Sequence, residues 1–468
     1  MDNITFSSAS ALARRIRRRD VAAEEVVDAY LQRVDLVNPT INAMVQIVGE
    51  QARAEARRAD AALARGESVG PLHGVPITVK DNMAVAGLPC TSGTLGRAHW
   101  MPEQDASTVA RLKAAGAIVL GKTNLPELGV AFETDNLIYG RTNNPYDLHR
   151  VPGGSSGGEA AIIAAGGSPL GLGNDSAGSI RVPAHFCGVA GIRPTTGRVS
   201  RMGMFVPASG LYDRLCQVGL LARYVEDLAL ALPIISGPDW QDADVVDMPL
   251  GEPANVDLKT LRIAFFTSNL IAPPTPETVA TVQRSASALA DVARDVTEER
   301  PSGIEQSFEL FMGLLMGDGG HAFDRFLAES GTTQLHPLLD GLLAIQRAQA
   351  MPLTSLLDTL VTWDQFRHRL VSFWSDHDVL ICPVCAFPAP LHGETLAPDK
   401  LPGFSYTVTF NLTGWPAVVV RAGTSPEGLP IGVQVVAAPW REDVALAVAQ
   451  EIERKVGGWQ PPAMGQGG

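Results

Sequence analysis

Cysteine is scarce, with five residues in 468, at positions 90, 187, 216, 382 and 385. So small, odd-numbered and scattered a set builds no disulfide framework; the fold must be held by its core, and reduced thiols in a cytoplasmic setting are expected. Long apolar runs are missing as well. The longest, around 228–235, is well short of the roughly 20 residues a bilayer-crossing helix requires. The arginine-rich stretch 14–19 is not followed by an apolar segment, so it does not read as a secretion signal. No membrane span is expected. Positive charge is in deficit, 37 Lys and Arg against 50 Asp and Glu for a net charge of −13. Such a field repels phosphate backbones and anionic lipid, so nucleic acid is not an expected partner and a neutral or apolar small molecule fits better. No period of 20 to 50 residues recurs, which excludes a repeat array. Histidines at ligand spacing are absent, and Cys382-Pro-Val-Cys385 has no second pair to complete a zinc site, so it reads as two buried thiols. No metal and no organic cofactor are expected.

What is present is an ordinary globular composition, 46% hydrophobic and 19% charged, in a chain long enough to bury about three quarters of its unfolded surface. Residues 22–37 carry apolar side chains at helical spacing and stop at Asn38-Pro39, and residues 50–64 form a second helix. Residues 71–79 turn to β-branched alternation and place Lys80 where a strand ends. Asp105 is expected to cap a helix over 105–115 that leads into the apolar run 117–120. Helix and strand alternate again at 158–165 and 169–173, at 261–266 and 276–292, and at 431–437 and 441–456. That alternation predicts an α/β domain over 1–468, its sheet covered by helices on both faces, with N-terminal helices over 1–66. Residues 301–362 differ, being rich in Leu, Met and Phe and broken by Gly317-Asp318-Gly319-Gly320. They read as a helical insert that packs on the core, with a cover over the substrate pocket as the sharper alternative.

Glycine and serine concentrate between 151 and 204. Glycines beside serines let the backbone approach a ligand closely and converge its N–H groups, and the apolar flanks exclude a linker. The phrases GVPITVKDN (74–82), GKTNLPE (121–127), GGSSGGEAA (153–161), GNDSAGSIRVPA (173–184), FCGVAGIRPTTGRVS (186–200) and FNLTGWPAVVV (410–420) together resemble the amidase signature family, over most of the chain. Within it the serine-glycine stretch is most similar to fatty acid amide hydrolase and its bacterial relatives.

The resemblance implies a three-layer α/β/α fold with a mixed central sheet. It implies Ser179 as nucleophile, Ser155 as proton relay after a cis peptide bond, Lys80 as base, and an oxyanion loop of backbone N–H groups at Ser176, Ala177, Gly178 and Ser179. The chemistry is coherent. A serine hydroxyl attacks only when a base takes its proton, and a lysine serves only if burial depresses its ordinary pKa of about 10.4. An amide also needs a proton on its departing nitrogen, which a relaying second serine delivers. Ala177 stands where many members have glycine, and 211–216 departs from the usual wording. The implied function is hydrolysis of a linear amide, aryl or fatty acyl, or an ester, through an acyl-enzyme. A carbamate (urethane) hydrolase of the same mechanism is one alternative, and a glutamine-hydrolysing amidotransferase subunit another. A homodimer stands as an expectation that no residue specifies. Gly153 to Gly157 also satisfies G-x-S-x-G, which would call for a late histidine such as His377 or His392. Lys122, in a similar phrase, is the decoy for Lys80, and Arg181 and Asp175 are expected to pin the nucleophile loop by ion pairing.

Overall fold

A computed structural model describes residues 4–205 and 213–464, so the divergent wording at 211–216 lies partly outside the described residues. Eleven strands form one mixed sheet: β1 (Met44–Ile47), β2 (Pro76–Lys80), β3 (Ile118–Thr123), β4 (Leu170–Asp175), β5 (Ala190–Arg193), β6 (Gln217–Ala222), β7 (Arg262–Phe265), β8 (Asp295–Glu298), β9 (Val379–Pro383), β10 (Ala417–Thr424) and β11 (Pro430–Ala437). Their order is β1-β3-β2-β4-β6-β5-β10-β11-β9-β7-β8. β2 runs parallel to β3 and β4, and β7 to β8 and β9; every other pairing is antiparallel. β2, β3, β4 and β6 are buried along their whole length, as strands covered on both faces must be. The helix Gly157–Ala164 is likewise buried on every side.

Three local expectations are corrected. The helix Ala23–Ile41 runs through Asn38-Pro39 instead of stopping there. Proline sits in the last turn, where it forfeits a single backbone bond, and the Asn38 side chain accepts the N–H groups of Ala43 and Met44 beyond the helix end. Asp105 caps nothing. The helix begins at Ser107, and the Asp105 carboxylate accepts the Ala86 N–H at 2.8 Å and pairs with Lys113 at 2.7 Å. Residues 1–66 contain β1 as well as helices; it lies antiparallel to β3, with Gln46 facing Lys122.

Residues 301–362 form the helices Ser307–Met316, His321–Ser330 and Pro337–Ala348 and the start of Leu353–Val371, the first two separated at the glycine-rich break. The first of these helices sets Phe311 and Leu314 in an aromatic core with Trp363 and Phe366, just beyond the segment, and with Tyr406, Phe410 and Trp415, while Phe323, Leu327, Leu339 and Leu343 of the next two cluster with Leu128. The helix 307–316 also bears on the site described next.

Candidate active site

β2 carries Lys80 on its last residue, and no part of that side chain reaches solvent. Burial disfavours the ammonium and lowers its pKa from 10.5 to about 7. Three groups act in opposition: Cys216, Asp175 and Glu159. Cys216 is a buried thiol whose own pKa burial raises, so near neutrality it carries no charge with which to hold the ammonium. Lys80 Nζ lies 2.7 Å from Ser155 Oγ. The Gly154–Ser155 peptide bond is cis, as the resemblance implied. The hydroxyl of Ser155 thus meets a lysine, whereas His377 faces Glu299 and the Phe373 carbonyl and His392 faces the Leu148 carbonyl. Lys122, the decoy, is buried in an ion pair with Asp81 at 3.1 Å.

Ser179 follows β4 in a loop tied down by one carboxylate. Asp175 accepts the backbone N–H groups of Gly178, Ile180 and Arg181 at 2.8, 3.2 and 3.3 Å, and the Arg181 guanidinium meets it in a fork with both contacts at 2.9 Å. Burial alone would raise the Asp175 pKa, but Arg181, then Arg193 and Asn411, overcome it and hold the carboxylate well below the usual range. The pinning expected of this pair is therefore seen in its geometry. It also engages the N–H of one residue expected in the oxyanion loop. The Gly178 N–H is spent on Asp175, while those of Ser176, Ala177 and Ser179 donate to no acceptor among the described residues. Gly178 has φ +116, and a Cβ there would lie 2.5 Å from Thr407 Oγ1, which itself donates to the Ala177 carbonyl at 2.7 Å. Only glycine fits this turn. The two serine segments are joined directly, the Ser156 N–H donating to the Ser179 carbonyl at 3.0 Å.

Ser179 and Ala177 form one wall of a cavity of about 370 Å³. The other walls are apolar: Phe132 stacked on Phe404 at 4.0 Å, Val408, and from the insert Phe308, Phe311, Met312 and Leu315. Ile345 and Gln349, both exposed, also line it.

Several supporting residues escaped the sequence reading. Thr407, Asn411 and Gln434 hold the Arg181 guanidinium from more than 200 positions away, and no spacing rule joins such distant residues. Glu159 is wholly buried in the helix after Ser155. Its signal was readable, because a lone acid among glycines, alanines and isoleucines is costly to bury without a purpose.

Comparisons with known proteins identify the family. The family model described as Amidase matches residues 25–446. The chain is 36% identical to fatty-acid amide hydrolase 2-A of Danio rerio, over 97% of this chain and 90% of that protein. It is 35% identical to an acylamidase of Rhodococcus erythropolis, over 96% of each. Among solved structures, 6-aminohexanoate cyclic dimer hydrolase complexed with substrate superposes with a TM-score of 0.88 at 29% identity, over 99% of this chain and all of that one. Family model, sequence relatives and fold coincide, and the chain belongs to the amidase signature family, hydrolases that act on carbon–nitrogen bonds.

Proposed function

We propose that this chain hydrolyses a linear amide with an apolar acyl or aryl group through an acyl-enzyme on Ser179, with Ser155 as relay and Lys80 as base. The observation that supports this best is the 2.7 Å contact between a fully buried, pKa-depressed amine and the Ser155 hydroxyl, in a chain that also presents Ser179 to an apolar cavity. The Lys80 amine takes the Ser155 proton while Ser155 takes that of Ser179. The Ser179 oxygen then bonds to the carbonyl carbon. Negative charge on the carbonyl oxygen is met by the N–H groups of Ser176, Ala177 and Ser179, worth about 3 kcal/mol or more of barrier per strong donor. The proton returns from Lys80 through Ser155 to the nitrogen, the C–N bond breaks, and the amine leaves. Water then attacks the acyl ester by the same relay and frees Ser179.

The apolar cavity supports an aryl or fatty acyl group, in keeping with the names of the two relatives. Esters, with an easier leaving group, follow the same path, and carbamates present the same carbonyl to the same loop. Residues 301–362, which supply Phe308, Phe311, Met312 and Leu315 to the cavity wall, act as a substrate-selecting cover.

The test is a panel of anilide, fatty amide, ester and carbamate substrates offered to the purified chain and to Ser179→Ala and Lys80→Met. Turnover by the chain alone, lost in both variants, is expected. Acylation of any side chain other than Ser179 by a trapping reagent would overturn the mechanism. Failure of the isolated chain on every simple amide would favour an amidotransferase subunit that needs a partner.

A further inference from the structure

Glu159 has no part in the steps above, yet three strands are shaped around it. Its Oε2 accepts the Thr123 hydroxyl at 2.7 Å and its Oε1 accepts the Thr78 hydroxyl. Thr78 is two residues before Lys80 on β2, hence on the same face, and Thr123 is the residue paired with Lys80 across β2 and β3. The third neighbour is Gly171 of β4, paired with Thr78. A Cβ at Gly171 would sit 1.7 Å from Glu159 Oε1, so the sheet leaves a gap that the carboxyl group fills. No arginine or lysine bonds to this carboxyl among the described residues; its side-chain partners are the two hydroxyls. An acid sealed in this way on the face that bears Lys80, with no ion-pair partner of its own, acts on that amine through space.

We propose that Glu159 is a positioning residue that sets the charge of the Lys80 amine: as a carboxylate it stabilises the ammonium formed when Lys80 takes up the Ser155 proton, and as a neutral acid it releases the free amine. The proposal rests on Lys80 being the base. Burial raises the Glu159 pKa from 4.5 to about 7, the Lys80 charge being the one cation that opposes this, so acid and amine titrate in the same range. The other charged group acting on Lys80 is Asp175 at the end of β4; the Cys216 thiol just before β6 is uncharged near neutrality, and neither acts on Glu159. Asp81 and Lys122 neutralise each other, Lys122 facing the other side of β3 by the alternation of the strand.

The experiment is the pH profile of kcat/KM for the full chain and for Glu159→Gln, Glu159→Asp and Lys80→Met. In Glu159→Gln the carboxylate is gone while both threonines keep a partner. Its acid limb is expected to move to lower pH by about one pH unit, a tenfold loss of proton affinity at Lys80, and the plateau rate is expected to fall because a less basic amine draws the proton less strongly. Glu159→Asp, which keeps the charge, is expected to hold the wild-type limb. A limb that stays in place in a folded Glu159→Gln, with only rate or thermal stability reduced, would show a purely structural carboxyl and overturn the proposal.

If Glu159→Gln does not fold, the reciprocal measurement serves. The infrared band of protonated carboxyl is followed against pH in wild type and Lys80→Met, and it is expected to persist to higher pH in the variant. An unchanged band overturns the proposal. Activity surviving in Lys80→Met would instead sink the assignment of the base itself, so the two failures are distinguishable.

Discussion

Lys80→Met should make the protein inactive and, near neutral pH, more stable. In the folded chain the Lys80 pKa falls from 10.5 to about 7 because the side chain is sealed from water. At 1.36 kcal/mol per pH unit, that difference amounts to about 5 kcal/mol of stability forgone at and below pH 7. The sign follows from proton counting. Between pH 7 and 10.5 the unfolded chain holds a proton at Lys80 that the folded chain does not, so wild-type stability from this group rises with pH across that window. Methionine is similar in size and carries no charge to desolvate. It loses only the contact with Ser155, worth about 1 kcal/mol. The variant should therefore exceed wild type by roughly 4 kcal/mol at pH 7 and lose that advantage as pH approaches 10.5. Glu159 reinforces the trend, because without the amine its acid form persists to higher pH and weakens the variant above neutrality. Urea unfolding of both proteins at pH 7 and pH 10, with equal m-values, measures the difference. A gap that is constant with pH, or a variant less stable at pH 7, would refute a depressed amine at position 80.

Three further outcomes follow from the site. Arg181→Met leaves Asp175 buried beside Arg193 at only 3.9 Å and should cost about 3–5 kcal/mol in chemical denaturation, with Arg181→Met/Asp175→Asn losing less than the two single changes together. Gly178→Ala sets a methyl against Thr407 at φ +116; kcat should drop about 10²-fold as the oxyanion loop shifts, and adding Thr407→Ala should return part of it. Met312→Trp narrows the cavity, so kcat/KM should fall about tenfold or more for a long acyl amide and change little for an acetyl amide; parallel losses on both would remove the insert from substrate selection.

The roles proposed for Lys80, Ser155 and Ser179 came from the family resemblance, and the residues themselves supplied the local signs. Lys80 was placed at a strand end from the β-branched run before it, and the glycines around Ser155 and Ser179 announced a backbone drawn close to a ligand. An α/β sheet covered on both faces was legible from the alternation of periodicities and its mixed strand directions only from the resemblance, while β1 was hidden among helices because four residues are too few to show a period. Pro39 and Asp105 misled for a common reason: each is a local terminator, and each was overridden by a partner elsewhere, Asn38 closing the helix end in one case and Lys113 with the Ala86 backbone engaging the acid in the other. The grip of Thr407, Asn411 and Gln434 on Arg181 could not be read at all. Those residues meet it only once the sheet has brought β11 and the helix Ser405–Thr413 to the nucleophile loop. The commitment of the Gly178 N–H to Asp175 was hidden likewise, since a sequence names the donors without saying which are already occupied.

The bond from the Ser156 amide to the Ser179 carbonyl has an evolutionary corollary. On the proposed mechanism this bond ties the segments that carry attacker and relay to each other, so breathing of the pocket walls should leave the path of the proton unchanged. Helices 307–316 and 337–348 can then drift in sequence, trading one acyl preference for another, while the reaction they feed needs no retuning. New specificities on this scaffold should therefore arise by repacking the wall and should seldom require mutation within the serine-bearing loops.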